Sequence, residues 1–333
     1  MHDSADTAAG LPWLVADIGG TNARFGWLDQ ADGGVKHIRK LPVAGHGGPA
    51  AAVQAYLAEL GEILAAPAPL RPRRAAFAVA TAVQGDVVDF TNSPWRFSRT
   101  ALQAELGLEL LLVLNDFEAL ALSLPRLAAG QLRPHGALPQ ACGTLAVIGP
   151  GTGLGVAGVV QTRHGWVALP GEGGHTTLAA ADDFESAVLQ QVRRRFAHVS
   201  AERLLSGIGL PVLHAALAAV DGVSVADLTA EAIVTAATEQ GDAQCLRTVD
   251  VFCALLGGFA GNVALTLGAR GGVYIGGGIV PRLGDAFFAS RFRERFEAKG
   301  RFAAYLAQIP TALITDTQAA LTGAALAIEQ HGR

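Results

Sequence analysis

The sequence is short of charge. Asp, Glu, Lys and Arg make up 16% of its 333 residues against 50% hydrophobic, which excludes an intrinsically disordered chain. The same shortage raises membrane insertion as a class. Residues 136–162 carry no charge for 27 positions and 252–269 none for 18, enough for a spanning helix. In the first stretch Pro139, Pro150 and six glycines from Gly143 to Gly158 would leave backbone groups unsatisfied in lipid, so strand, loop and strand are expected there. The second runs into Gly-Ala-Arg-Gly-Gly and a short β run, and reads as a buried core helix.

Lysine is almost missing. Lys36, Lys40 and Lys299 are the only three; none stands in G-x-x-x-x-G-K-[ST], so a P-loop is excluded. Cys142, Cys245 and Cys253 have no C-x-x-C spacing. That argues against a disulfide framework and a zinc knuckle, and all three are expected as buried small hydrophobes. The net charge of −4 provides no field for nucleic acid. The arginine clusters at 71–74, 193–196 and 291–296 read as solvated faces. Residues 1–12 show neither a basic leader nor an apolar run, so the expectation is a cytoplasmic protein with no membrane or nucleic-acid partner.

What the chain does have is glycine, 41 residues of it, and three glycine turns stand at predicted strand ends. Trp13 to Asp17 is an apolar run into Gly19-Gly20, and Ala23 to Leu28 resumes as a strand, which makes a hairpin rather than a strand-to-helix turn. "LAVIGPGTGLGVAGVV" (145–160) lays over "LVADIGGTNARFGWL" (14–28) at a spacing of about 130 residues, pointing to a duplicated architecture of two related lobes with a cleft between them. The third turn is Gly276-Gly277-Gly278, after "GGVYI". Glycines let a backbone approach a phosphate and aim its N–H groups at the anion, although an ordinary hairpin turn uses the same residues. "GLGVAG" (153–158) matches G-x-G-x-x-G, but the β-like "VVQ" after it is not the helix that a dinucleotide site needs.

Between the turns, further strands are expected near Val35 to Val43, at 75–81, in 86–98 as strand then loop, and at 108–116, with helices at 50–64, 100–106 and from Phe117. Gly130 to Gly143 reads as the boundary of the first lobe. Beyond it helices are expected at 184–197, 210–219, 230–239, 244–267 and 319–330, the last returning to the first lobe.

Polar groups cluster with the turns. Asn92, Asn115 and Asp116 lie at predicted strand ends of the first lobe; Glu172, His175 and Glu202 lie in the second. Amides, carboxylates and an imidazole pair with sugar hydroxyls, but solvated or core residues look the same in sequence; a metal on Glu172 and His175 is disfavoured, because no second His or Cys stands at ligand spacing and Asp182-Asp183 is too generic. Asp116 is the candidate base for phosphoryl transfer to an alcohol, ionised at neutral pH on its reference value of ~3.9.

At these residues the chain resembles the proteobacterial-type glucokinases of the hexokinase, actin and heat-shock chaperone superfamily. The resemblance runs from about Trp13 to Gln330 through "DIGGTNARFG", "LNDFEALALSLP", "GPGTGLGVA", "PGEGGH", "HVSAERLLSGIGL" and "GGVYIGGGIVPR". It implies an α/β, two-lobed actin-like ATPase fold of duplicated ribonuclease H-like type, with a small domain of residues 1–128 plus 317–333 and a large one of 129–316 closing on glucose. It implies ATP-dependent phosphorylation of the 6-hydroxyl of D-glucose, with Mg²⁺, in a glycolytic homodimer. Asp116 is then the base, with Asn92, Asn115, Asp116, Glu172, His175 and Glu202 on the sugar. Asp17, Gly19, Gly20, Thr21, Asn22, Gly151, Thr152 and Gly153 would meet the phosphates, and Gly207, Gly276, Gly277, Gly278 and Ile279 the nucleoside. Two departures from the family pattern are Ile208, where proline is expected, and Pro94, where a polar residue is common. The cysteine-rich zinc motif of the related repressor branch is missing, so no structural zinc is expected. Alternative readings on this fold are a sugar-sensing regulator, for which no helix-turn-helix precedes the first strand, and a different ATPase.

Overall fold

The computed structural model describes residues 10–30, 34–90 and 93–331. The chain divides into two compact units: unit 1 is 1–127, 162–169 and 317–333, and unit 2 is 128–161 and 170–316.

Unit 1 is built on β1 (Trp13–Ile18), β2 (Asn22–Leu28), β3 (Lys36–Pro42), β4 (Arg74–Val79), a small hairpin of β5 (Val87–Asp89) and β6 (Arg96–Ser98), and β7 (Leu110–Asn115). Its helices are α1 (Pro49–Ile63), α2 (Arg99–Glu105) and α3 (Asp116–Ser123). The main sheet runs β3-β2-β1-β4-β7. β1 and β2 form an antiparallel hairpin with Ile18 opposite Ala23, while β1, β4 and β7 are parallel. The period-2 alternation of β1 divides its side chains between two cores. Leu14, Ala16 and Ile18 pack with Phe25, Tyr56 and Phe77 on one face, and Trp13 and Val15 pack on the other with Leu321, Ala324 and Ile328 of the C-terminal helix.

Unit 2 holds β8 (Leu132–His135), β9 (Thr144–Pro150) and β10 (Leu154–Thr162); β11 (Gly165–Gly171) straddles the division. The helices α4 (Asp183–Arg193), α5 (Leu210–Asp221), α6 (Ala230–Thr238) and α7 (Ala243–Leu267) lead to β12 (Gly272–Ile275). The short helices α8 (Val280–Leu283), α9 (Asp285–Ala289), α10 (Phe292–Glu297) and α11 (Ala303–Ala307) then lead to β13 (Thr311–Ile314). The last helix, α12 (Ala319–His331), belongs to unit 1. Within unit 2 the strands lie in the order β10-β9-β12-β13-β8. β9 and β10 are an antiparallel hairpin with Pro150 opposite Leu154, and β9, β12 and β13 are parallel. The series hairpin, then two parallel strands, therefore occurs twice, as the sequence overlay predicts.

Local chemistry sets the ends of the helices. Side chains of Ser98, Asn115, Asp182, Thr229 and Asp242 accept the first free N–H groups of α2, α3, α4, α6 and α7. Gly222 and Gly268, left-handed, end α5 and α7. α7 is long and apolar enough to cross a membrane, yet 78% of that apolar window is buried inside the protein, so it is a core helix.

Three expectations are corrected. β8 was read as part of a boundary segment; Pro134 hides it, and the strand tolerates proline because it lies at the sheet edge, paired only with β13. Cys245 and Cys253 are buried, but Cys142 is exposed. The 291–296 cluster is not a solvated face: Arg295 is only 12% exposed and pairs with the buried Glu185, and Arg293 donates to the carbonyls of Leu306, Ala307 and Ile309.

Candidate active site

In unit 1 the candidates gather at the carboxyl ends of the parallel strands, where open α/β sheets carry ligands. The first turn is closed by the Gly19 N–H donating to the Asn22 carbonyl at 2.9 Å, and Thr21 is tied down by the Val43 N–H on its carbonyl at 2.9 Å. Gly20 sits between them. Asp17, 21% exposed, accepts from Arg24 Nη1 at 2.9 Å. Burial pushes the Asp17 carboxyl above its ordinary range, and Arg24 opposes that.

Asn115 ends β7 and caps α3. Its Oδ1 accepts the Phe117 N–H at 2.9 Å and its Nδ2 donates to the Thr81 carbonyl at 3.2 Å. One donor hydrogen and one lone pair of the amide are left for a ligand. Asp116 is the first residue of α3, its Oδ1 accepting the Phe117 N–H at 2.9 Å. Burial, then the negative charge of Asp17, raise its pKa to about 6 from 3.8. This corrects the expectation of an ordinary carboxylate: at pH 7 the group is still mostly ionised, but now close to the poise of a general base. Asn92, the remaining unit-1 candidate, lies outside the described residues, and Pro94 is exposed.

In unit 2 the second turn, Gly151-Thr152-Gly153, closes with the Gly151 N–H on the Gly153 carbonyl at 2.8 Å. The other unit-2 candidates converge on it. Gly207 donates its N–H to the Gly151 carbonyl at 2.7 Å, Ile279 donates to Pro150 at 3.1 Å and Gly276 to Ile148 at 2.8 Å. Those three amides are therefore engaged, that of Gly207 by the turn and those of Ile279 and Gly276 by the end of β9. Gly277 has φ +78°, and a Cβ there would collide with the Pro150 carbonyl; Gly278 follows it into α8. Ile208 is 56% exposed beside this cluster.

The sugar candidates of unit 2 lie against the same hairpin. Glu202 Oε2 accepts the Leu154 N–H at 2.8 Å, and its own N–H donates to the Gly174 carbonyl at 2.8 Å. His175 lies between two carboxylates, with Nδ1 4.0 Å from Glu202 Oε1 and Nε2 4.0 Å from Glu172 Oε2. These separations are too long for direct hydrogen bonds. Glu172 and His175 are exposed, at 69% and 63% of their side chains, and Glu172 forms a bridge to Val156 of β10.

A family model described as Glucokinase matches residues 14–331. The chain belongs to the glucokinase family. A glucokinase from Chromobacterium violaceum is 48% identical over 96% of this chain and 90% of its own, and one from Aromatoleum aromaticum is 50% identical over 96% and 95%. The crystal structure of a glucokinase from an Antarctic psychrotroph is 37% identical, covers 95% of this chain and 98% of its own, and superposes with a TM-score of 0.87. The fold is thus the two-lobed actin-like ATPase fold of glucokinases, and the activity is ATP-dependent phosphorylation of glucose. The alternatives of a sensor and a different ATPase fall away.

Two residues of the candidate site were missed by sequence reasoning. Arg24 was legible in principle, because a hairpin turning at 19–22 places position 24 opposite position 17. Thr81, whose carbonyl holds Asn115 and whose hydroxyl donates to the Asp89 carbonyl at 3.0 Å, carried no signal: it meets both partners only after the strands have paired.

Proposed function

We propose that Asp116 is the general base that takes the proton of the glucose 6-hydroxyl as that oxygen attacks the γ-phosphate. The observation that carries this is its setting, a partly buried carboxylate at a strand end with a pKa lifted to about 6 by burial and Asp17. A base near that value is ionised at neutral pH and still accepts a proton as the bond forms. Asn92, Asn115, Glu172, His175 and Glu202 orient the sugar hydroxyls. The turns at Gly19 to Asn22 and Gly151 to Gly153 face the phosphates, with Gly207 and Gly276 to Ile279 on the nucleoside side. The two units serve as the small and large lobes.

Among the described residues no group of three His, Cys, Asp or Glu side chains is placed to hold a metal. Mg²⁺ in kinases needs only one or two carboxylates plus phosphate oxygens. Asp17, beside the first turn and close enough for its charge to raise the Asp116 pKa, suits that donor set. Bound there with the nucleotide, Mg²⁺ would offset phosphate charge. A homodimer working in the cytoplasm at the head of glycolysis completes the reading.

The test is Asp116→Asn. Turnover falls by at least ~10² while glucose affinity stays within a few-fold; unchanged turnover, followed by coupled detection of the 6-phosphate, refutes the base.

A further inference from the structure

The second glycine turn and the proposed sugar segment are joined by more than proximity. Of the two Glu202 oxygens, Oε2 is committed to the Leu154 N–H at 2.8 Å, while Oε1 stands 4.0 Å from His175 Nδ1 and keeps its lone pairs for a hydroxyl. The space for Oε2 exists because residue 153 has no side chain: a Cβ there would collide with that oxygen. The φ of Gly153 is not among the positive values, so its backbone would accept alanine without strain. The obstacle is the far end of one flexible side chain, so substitution would displace the carboxylate rather than the fold.

We propose that Gly153 is a positioning residue for the sugar, acting through Glu202. Its missing Cβ lets the Glu202 carboxylate dock on the Leu154 N–H, and this bond aims Oε1 at the sugar. A residue of the phosphate turn thereby sets glucose affinity, and a sugar held by Glu202 steadies the turn. The inference rests on the reading of Glu202 as a sugar ligand.

The experiment is steady-state kinetics on Gly153→Ala, Glu202→Gln and the double variant of the full chain. Glu202→Gln raises the glucose KM. Gly153→Ala also raises it, by roughly tenfold, the size expected when a hydrogen bond to a charged group is lost, whatever its effect on the ATP KM through the phosphate turn. In the double variant the two increases do not multiply, because both act on one carboxylate. An unchanged glucose KM in Gly153→Ala beside a raised one in Glu202→Gln overturns the inference alone. So does a shift confined to the ATP KM, or increases that multiply. An unchanged glucose KM in Glu202→Gln overturns the sugar-ligand reading, and the inference with it. If Gly153→Ala melts early, amide exchange at Leu154 in the unsubstituted protein decides: glucose slows it on this proposal, and an unaltered rate refutes it.

Discussion

The two hairpins β1–β2 and β9–β10 share a topology and differ in where their charge comes from. In unit 1 the charges are on the hairpin itself, Asp17 facing Arg24 in register at 2.9 Å. In unit 2 the stretch 144–162 carries no charge at all, and its carboxylate arrives from Glu202, 48 residues downstream of Leu154. The consequence is electrostatic. Burial and the partly buried charge of Asp17 on β1 raise Asp116 to about 6, whereas the exposed Glu172 and His175 of unit 2 remain in contact with water. On the proposed reading a repeated scaffold supports unlike tasks, with a tuned base beside the sugar amides of one unit and exposed sugar-binding groups in the other.

The hundredfold loss of turnover in Asp116→Asn is the largest effect that separates the halves, and pH sharpens it. kcat/KM falls about tenfold per pH unit below about pH 6, where Asp116 becomes protonated. An acid limb near pH 4 would mean that burial, the larger of the two causes, does not tune the base. Stability has the opposite sign. Because the folded-state value lies above 3.8, protonation stabilises the fold fully at low pH, and that gain is lost as pH rises through about 6. Asp116→Asn therefore raises the Tm at pH 7, by on the order of 1–3 kcal/mol of stability; a lowered Tm would show that the charge is well solvated.

Next in size is a contrast between the glycine turns. Gly277→Ala meets both a left-handed φ of +78° and the Pro150 carbonyl, so it costs about 1–3 kcal/mol or more in chemical denaturation. Gly19→Ala meets only the Asn22 carbonyl at an ordinary 3.5 Å, so its stability changes by less than about 1 kcal/mol. Equal losses would erase the difference in packing between the turns. The smallest effects are expected at the exposed sugar candidates. Glu172→Gln and His175→Ala raise the glucose KM several-fold and leave kcat and the ATP KM nearly unchanged; a shift in the ATP KM alone would place them wrongly.

Much of the fold was legible because its signals are local. The hairpin at Gly19-Gly20, the apolar strand ending in Asn115-Asp116 and the helix at 244–267 follow from alternation, turn residues and periodicity within a few positions. β8 and β13 were not legible. β8 contains a proline, and β13 is a four-residue run, Thr311–Ile314, whose strand state depends on the partners β12 and β8. The arginines at 291–296 misled for a related reason: nothing nearby in sequence announces Glu185, which buries Arg295 from 110 residues away.

The amino-acid sequence by itself determined the two glycine hairpins, their duplication, the identity of the candidate base and the class of chemistry. Backbone geometry, side-chain period and the residue types that meet phosphate and sugar are written at short range. Only the tertiary structure decided the upward shift of the Asp116 pKa, the pairing of Asp17 with Arg24, and the docking of Glu202 onto Leu154 through the space at Gly153. Burial and electrostatic coupling depend on distances between segments, and those distances exist only once the sheets have formed.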